Sequence, residues 1–128
     1  MALTETLPGA GGFMLTPAEA ISKDVVTLVS GAGALKAGTV LGKITASGKY
    51  NAYDNDAATG IEVAKAILYQ DTAATSADTE ATVVSRLAEV RGARLVWGAA
   101  VTTQGEKDAA IVDLATAFII VREGVRHA

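Results

Sequence analysis

The stretch Leu-Lys-Ala-Gly-Thr-Val-Leu-Gly-Lys-Ile-Thr-Ala-Ser-Gly-Lys-Tyr-Asn-Ala-Tyr-Asp-Asn, residues 35–55, is typical of a β-hairpin built from small residues. A first strand is expected at 39–45, and Ser47-Gly48 predicts a tight turn, because glycine tolerates a positive φ. The return strand is expected at about 49–53. No acid, base or nucleophile in this stretch is arranged for chemistry.

Short β-branched or alternating segments predict further strands outside the hairpin. The segment 61–69 is ambiguous, because its apolar residues suit a strand but Ile61, Ala64 and Leu68 would also suit a helix; we interpret it as a strand. Further strands are expected at 24–30 and 82–90. The polar residues 71–80 are expected to form a surface loop.

The clearest helical signal covers residues 106–116. Apolar side chains recur there at spacings of three, four and seven residues, which predicts a helix with one buried face. The predicted face consists of Ile111, Leu114, Ala115 and Phe118. A buried strand is expected to follow at 118–122, so the chain combines many short strands with little helix.

The composition predicts one domain with a thin core. The chain has 128 residues, of which 50% are hydrophobic but only 5% aromatic. Alanine and valine side chains bury little area each, and apolar burial contributes about 25 cal/mol per Å². Association with other chains is a common way to add burial, so we expect an oligomer.

Charge and cysteine content exclude several classes of partner and site. The net charge of −3 argues against binding to nucleic acid, and the cluster Arg86, Arg91 and Arg94 is interpreted as a solvated strand face. With no cysteines, disulfides and thiolate sites are excluded. No segment resembles a membrane span or a signal peptide, so we expect a soluble protein that is made in the cytoplasm.

Three motifs hint at chemistry, and each fits a simpler interpretation. Gly31-Ala32-Gly33 lacks the third glycine and the following helix of a dinucleotide site. Asp54-Asn55-Asp56 does not continue with calcium-ligand spacing and predicts an Asx turn. His127 is the only histidine and is expected to be solvated. We therefore expect no catalytic residues, no metal site and no cofactor, and hence no enzyme.

Residues 1–20 contain both prolines of the chain and several glycines, which disfavour regular structure. Two interpretations remain open, a frayed terminus and an extended arm that becomes ordered on a partner. In the second, the candidate binding residues are Leu3, Thr4, Glu5, Thr6 and Leu7. The predicted division is a flexible N-terminal arm at 1–20 and a domain at 21–128.

The order of these motifs resembles the head decoration proteins of tailed bacteriophages, the lambda-type protein D family. The resemblance extends over nearly a hundred residues, and its individual segments are small-residue strands and turns. They are Gly31-Ala32-Gly33, Leu35-Lys36-Ala37-Gly38-Thr39-Val40-Leu41-Gly42-Lys43-Ile44, Gly48-Lys49-Tyr50, Tyr53-Asp54-Asn55, Gly60, Ala66-Ile67-Leu68-Tyr69 and Ala88-Glu89-Val90.

The resemblance implies a β-rich fold of the β-clip or β-tulip kind with short helices. It also implies a homotrimer on the outer surface of the expanded capsid in the virion, with N-terminal arms that contact the major capsid protein. Such a protein would be made in the cytoplasm of a bacterial host. It would stabilise the shell against the pressure of packaged DNA, with neither nucleic acid nor membrane as a partner.

Two alternatives from other classes of protein stay open. Residues 36–41 also resemble a strand of lipoyl- or biotinyl-type carrier domains, in which a lysine at a hairpin tip is modified. Lys49 is the only plausible candidate for that lysine, and its flanking residues do not match. A small ligand-binding β module would need an aromatic-lined cleft, which few residues of this chain could form.

Overall fold

A closed barrel of five strands forms the centre of the computed structural model, which describes residues 13–15 and 22–122. The barrel order is β1-β4-β3-β5-β7, and two further sheets, β2-β6 and β8-β9, each have two strands. The strands are β1 (Ser22–Leu28), β2 (Gly33–Leu35), β3 (Val40–Lys43), β4 (Tyr50–Ala52), β5 (Ala64–Leu68), β6 (Thr72–Ala74), β7 (Thr79–Arg86), β8 (Ala88–Arg91) and β9 (Ile119–Arg122).

The predicted hairpin is confirmed as β3 and β4, which pair antiparallel with Leu41 opposite Ala52. Gly48 lies in the connecting turn with a φ of 75°. Gly42 is required for a different reason, because a Cβ atom there would lie 2.5 Å from the Cα of Ile61. The small residues therefore set both the turn and the close approach of the chain to β3.

A two-stranded ribbon accounts for one wrong prediction. The segment 71–80 was expected to be a loop, yet it contains β6 and the first residues of β7. β6 pairs antiparallel with β2, with Ala34 opposite Ala73. These short alanine- and threonine-rich segments have little strand signal of their own, and their pairing with each other makes them strands.

The predicted helix is α1 (Gln104–Ala115), and it packs against β9 and β5. Thr103 caps its first turn through a capping box, in which the Thr103 hydroxyl accepts from the Glu106 N–H and the Glu106 carboxylate accepts from the Thr103 N–H. A short 3₁₀ helix, Gly92–Arg94, follows β8.

Two separate apolar clusters hold the domain together. One is built from barrel strands and β6, and the other lies between the barrel and the unit formed by β8, α1 and β9. The first consists of Leu28, Leu41, Ala66, Leu68, Ala74, Ala81 and Val83. The second includes Phe13, Val40, Tyr53, Ile67, Val84, Val90, Leu114 and Ile119.

Three sequence predictions near the chain's second half are corrected. The strand expected at 82–90 is divided into β7 and β8 by Leu87, whose φ is 58°. The buried face of α1 carries Ala110 and Leu114, whereas Phe118 lies beyond the helix and is exposed. In the strand expected at 118–122 only Ile119 is fully buried, because β9 presents its alternate side chains outward.

These features confirm the predicted class, a mainly β single domain with little helix. Within residues 13–15 and 22–122, none of the helices has the length and the apolar character that a membrane crossing requires.

Candidate functional site

The predicted binding residues Leu3, Thr4, Glu5, Thr6 and Leu7 lie outside the described residues, so their role stays a prediction. The nearest described segment is Phe13–Leu15, which belongs to the predicted arm.

This short segment is fixed to β8. The Phe13 carbonyl accepts a 2.9 Å hydrogen bond from the Arg91 N–H, and the Leu15 N–H donates to the Glu89 carbonyl at 2.9 Å. Met14 forms an antiparallel bridge with Val90, and the Phe13 side chain is 2% exposed within the core. Residues Phe13–Leu15 are thus attached to the domain.

Phe13 and Arg122, the first and last described residues, lie at the same end of the β8–β9 sheet. Phe13 is hydrogen-bonded to Arg91, the last residue of β8. β9 runs parallel to β8, and its last residue, Arg122, is the register partner of Arg91. Residues before Phe13 and after Arg122 are therefore joined to the domain at this one end.

The outward face of the β8–β9 sheet carries apolar side chains at its opposite end. Leu87 is 58% exposed and Phe118 is 66% exposed, and they occupy the positions immediately before β8 and β9. Ile120 on β9 is also exposed and lies opposite Glu89. We call Leu87 and Phe118 the apolar row.

The backbone of the apolar row is in an unusual conformation. Leu87 and Phe118 have φ values of 58° and 62°, and they are the only non-glycine residues with positive φ in the described part of the chain. Bulky side chains seldom adopt this region, because Cβ then approaches the following carbonyl oxygen. Such residues tend to cluster at functional sites, where the surrounding structure holds them in place.

Hydrogen bonds hold the two positions side by side. The Leu87 N–H donates to the Ala117 carbonyl at 3.3 Å, and the Ala88 N–H donates to the Phe118 carbonyl at 3.0 Å. Farther along the face, Arg122 Nε donates to Glu89 Oε1 at 3.2 Å. One end of this face is therefore apolar and the other end is charged. Phe13 and Arg122, the first and last described residues, lie at the charged end.

The motifs that hinted at chemistry form structural contacts. Asp54 Oδ1 accepts from the Asp56 N–H, as the predicted Asx turn requires. The residues after Gly31 enter the short strand β2 rather than a helix, so a helix N-terminus does not follow this turn. The described residues contain no group of three histidine, aspartate or glutamate side chains that could hold a metal ion.

Lys49, the candidate carrier lysine, is tied to a neighbouring loop. Its Nζ lies 2.6 Å from Asp78 Oδ2, and Asp78 Oδ1 accepts from the Ser30 N–H at 2.8 Å. The Lys49 ammonium and then the Ser30 amide hold the pKa of the Asp78 carboxyl below its usual value of 3.8. Lys49 therefore links the hairpin to the loop before β7.

The tryptophan and a buried tyrosine attach α1 to the barrel. The rings of Tyr53 and Trp97 meet edge to face with centroids 6.4 Å apart, and Lys107 Nζ lies 6.0 Å from the Trp97 ring centroid. The Tyr53 hydroxyl donates to the Glu106 carbonyl at 3.2 Å. Burial raises the pKa of this hydroxyl. These aromatic residues serve packing rather than an open cleft.

Comparison with protein families gives a match over nearly the whole chain. The sequence model of the family described as bacteriophage lambda head decoration protein D matches residues 2–119. The chain belongs to this family.

Membership of the decoration-protein family places the chain among structural proteins of the phage capsid, in the virion, rather than in a known family of enzymes. The family implies association with the capsid. A search of curated proteins found no significant match.

Sequence reasoning missed the apolar row. The helical spacing predicts Phe118 on the buried helix face, and the strand expected at 82–90 includes Leu87. Their left-handed backbone, however, depends on hydrogen bonds between two distant segments.

Proposed function

We propose that the protein binds the outer surface of the expanded phage head as a homotrimer and stabilises the shell against the pressure of packaged DNA. The observation that supports this proposal most directly is the family match, which extends over residues 2–119 and so includes the predicted arm. Packaged DNA pushes the shell outward, and a protein that binds only the expanded lattice stabilises it by mass action.

We further propose that residues 3–7 bind the major capsid protein, by adding a strand to one of its sheets. Two features of the domain support this idea. Phe13 is hydrogen-bonded to the end of β8 and buried in the core, so whatever the preceding residues bind is linked to the domain. Three arms on one trimer would also raise the effective concentration of each remaining contact.

Deletion of residues 2–12 tests the arm, because it stops short of the Phe13 anchor. We expect the truncated chain to keep its oligomeric mass in light scattering. Its affinity for expanded empty heads should fall by roughly 100-fold or more, since three linked contacts are lost together. The control replaces residues 2–12 by a glycine- and serine-rich segment of equal length, which should bind as weakly as the deletion.

Unchanged binding of the truncated chain to expanded heads would contradict the arm proposal. Failure of the intact chain to bind expanded heads, or equal binding to expanded and unexpanded heads, would contradict the proposed function itself. Co-sedimentation of the heads with the added chain measures both outcomes.

A further inference from the structure

We propose that a cleft beside the attachment point of the arm binds an acidic segment of the major capsid protein. The cleft has a volume of about 400 Å³, and its ionisable lining residues are Lys36, Arg94 and Asp71. We call it the Lys36–Arg94 cleft. This inference rests on the proposed function, because it adds a second capsid contact to the one proposed for residues 3–7.

The two cations of the cleft are available to a ligand. Within residues 13–15 and 22–122, neither Lys36 nor Arg94 has a side-chain partner. Three other cations, Lys49, Arg86 and Arg122, are paired with carboxylates at 2.6, 3.0 and 3.2 Å. Arg94 is also partly buried, whereas Arg86 is exposed. The guanidinium of Arg94 therefore lines a concave site with donors that a carboxylate can use.

Backbone contacts fix the walls of the cleft. The Val96 N–H donates to the Gly38 carbonyl at 2.9 Å, and a Cβ atom at Gly38 would lie 2.7 Å from the Arg94 carbonyl oxygen. Asp71 Oδ1 accepts from the Ala37 N–H at 2.8 Å. The segments that form the cleft are thus held together before a partner binds, which lowers the entropy cost of binding.

The lining of the cleft favours a peptide carboxylate over a nucleic-acid phosphate. Two cations and one carboxylate line it, so the cations are in excess although the whole chain has a net charge of −3. The arginine fork matches the two oxygens of a carboxylate. Asp71 can accept an N–H from the backbone of an entering peptide, whereas a phosphodiester would place only acceptors beside it. An aspartate or glutamate on a peptide satisfies both requirements.

The position of the cleft selects the capsid protein as the source of that peptide. Arg94 ends the short 3₁₀ helix that follows Arg91, and three residues of such a helix span about 6 Å. The Arg91 N–H donates to the Phe13 carbonyl, so the cleft lies beside the arm. Six residues separate Leu7 from Phe13, a span of at most about 20 Å. A capsid subunit held by residues 3–7 would therefore be kept close to the cleft.

A second cleft in the molecule provides a matched control. It has a volume of about 410 Å³, and its ionisable lining residues are Lys43, Lys65 and Glu62. Its lysines are both exposed, and Lys43 is the last residue of β3, whereas the Lys36–Arg94 cleft lies before the start of this strand. The two clefts thus have similar volumes and equal numbers of charges, but only one of them is beside the arm.

The double variant Lys36→Gln/Arg94→Gln is the first test, and Lys43→Gln/Lys65→Gln is its control, since each removes two positive charges. Co-sedimentation at low salt should show that the first variant binds expanded empty heads about 10-fold more weakly or worse, because charge-assisted hydrogen bonds are lost. The control should lose less than about 2-fold. If the first variant does not fold, Lys36→Gln and Lys43→Gln, both at exposed positions, replace the pair and should differ in the same direction.

Blocking the carboxylates of the heads tests the occupant of the cleft. Expanded heads whose exposed carboxylates have been converted into amides, with a carbodiimide and glycinamide, should bind the unaltered chain more weakly. On these heads Lys36→Gln/Arg94→Gln should bind as well as the unaltered chain. If the difference between the two chains persists, the cleft does not bind capsid carboxylates, and the inference is overturned.

The remaining outcomes separate this inference from the proposed function. If the unaltered chain and Lys36→Gln/Arg94→Gln bind expanded heads equally, the inference is wrong and the proposed function stands. Equal losses in the two double variants would show that only total charge matters, and also overturn it. A lower oligomeric mass of the first variant in light scattering would mean that the cleft holds a second copy instead. If the unaltered chain does not bind expanded heads, the proposed function fails, and this inference with it.

Discussion

The barrel side of the molecule and the β8–α1–β9 unit treat positive φ in opposite ways. In and around the barrel, every described residue with positive φ is a glycine: Gly31, Gly33, Gly38, Gly48 and Gly60. In the β8–α1–β9 unit, the two positions with positive φ are Leu87 and Phe118. One side follows the local preference of the backbone, and the other departs from it where large apolar side chains meet solvent.

This difference separates a side of the molecule that follows the conformational preference of the backbone from a side that does not. Glycine at a positive φ is the choice that stabilises a single chain. Leucine and phenylalanine at such positions add strain and exposed apolar surface, and both terms oppose folding of the single chain. Leu87 and Phe118 are therefore the described non-glycine positions where a strained backbone and an exposed apolar side chain coincide.

The largest effect is expected for Gly60→Ala on the barrel side. Gly60 has a φ of 117°, and a Cβ atom there would lie 2.3 Å from the Lys43 carbonyl oxygen. Strain and overpacking together should lower the free energy of unfolding by about 3 kcal/mol or more. Gly48→Ala is the control, with a φ of 75° and an ordinary contact of 3.9 Å to Lys43 Cε, and should cost only about 1–2 kcal/mol. If chemical denaturation shows that both variants lose the same free energy of unfolding, the close approach of the chain at Gly60 is not as described.

Shortening a buried side chain tests the packing of the β8–α1–β9 unit. Leu114 on α1 is fully buried, and Leu114→Ala should lower the free energy of unfolding by about 3 kcal/mol through lost burial and the cavity that remains. Val112 lies on the same helix but is 66% exposed, so Val112→Ala should change stability by less than about 0.5 kcal/mol. If both variants unfold at the same urea concentration, α1 is not held to the barrel as described.

A smaller effect is expected at the start of α1. Thr103→Ala removes the hydroxyl that accepts from the Glu106 N–H, and should lower the free energy of unfolding by about 1 kcal/mol. Thr102→Ala, one residue earlier, leaves this hydroxyl in place and serves as the control. Thermal unfolding of the two variants measures the difference, and an unaffected Thr103→Ala would show that the cap does not support the helix.

The smallest expected effect is on the stability of the fold at acidic pH. The pKa of Asp78 is lowered from 3.8, chiefly by its hydrogen bond with Lys49 and then by the Ser30 N–H. The stabilisation is therefore present above pH 3.8 and is lost as the pH falls through the lower pKa of the folded state. Asp78→Asn should lose less stability on acidification than the unaltered chain, with the exposed Glu80→Gln as control. An identical acid profile for Asp78→Asn would show that the pair does not stabilise the fold.

Local sequence patterns were enough to predict the β3–β4 hairpin and the presence of α1. Ser47-Gly48 predicts a turn between two short segments, and the apolar residues around Leu114 share one face only if the segment is a helix. The ribbon of β2 and β6 could not be found in this way. Its alanine and threonine residues become strands because they pair with each other across the sequence, and no local preference encodes that pairing.

The candidate site was harder to predict for a related reason. Phe118 has the spacing of a buried helix residue, and only the end of α1 at Ala115 and the hydrogen bond from Ala88 turn it outward. The predicted arm residues, Leu3 to Leu7, remain a prediction based on composition and family resemblance. The predicted division at residue 20 also stays a prediction, and the structure adds that Phe13 and Leu15 are hydrogen-bonded to β8.

The central proposal is that the protein stabilises the expanded capsid through several protein–protein contacts at once. It is tested most directly by the binding stoichiometry of the intact chain on empty heads before and after expansion, measured by co-sedimentation. The account predicts saturable binding in groups of three copies to expanded heads and none to unexpanded heads. Binding of single copies, or equal binding to both kinds of head, would contradict it.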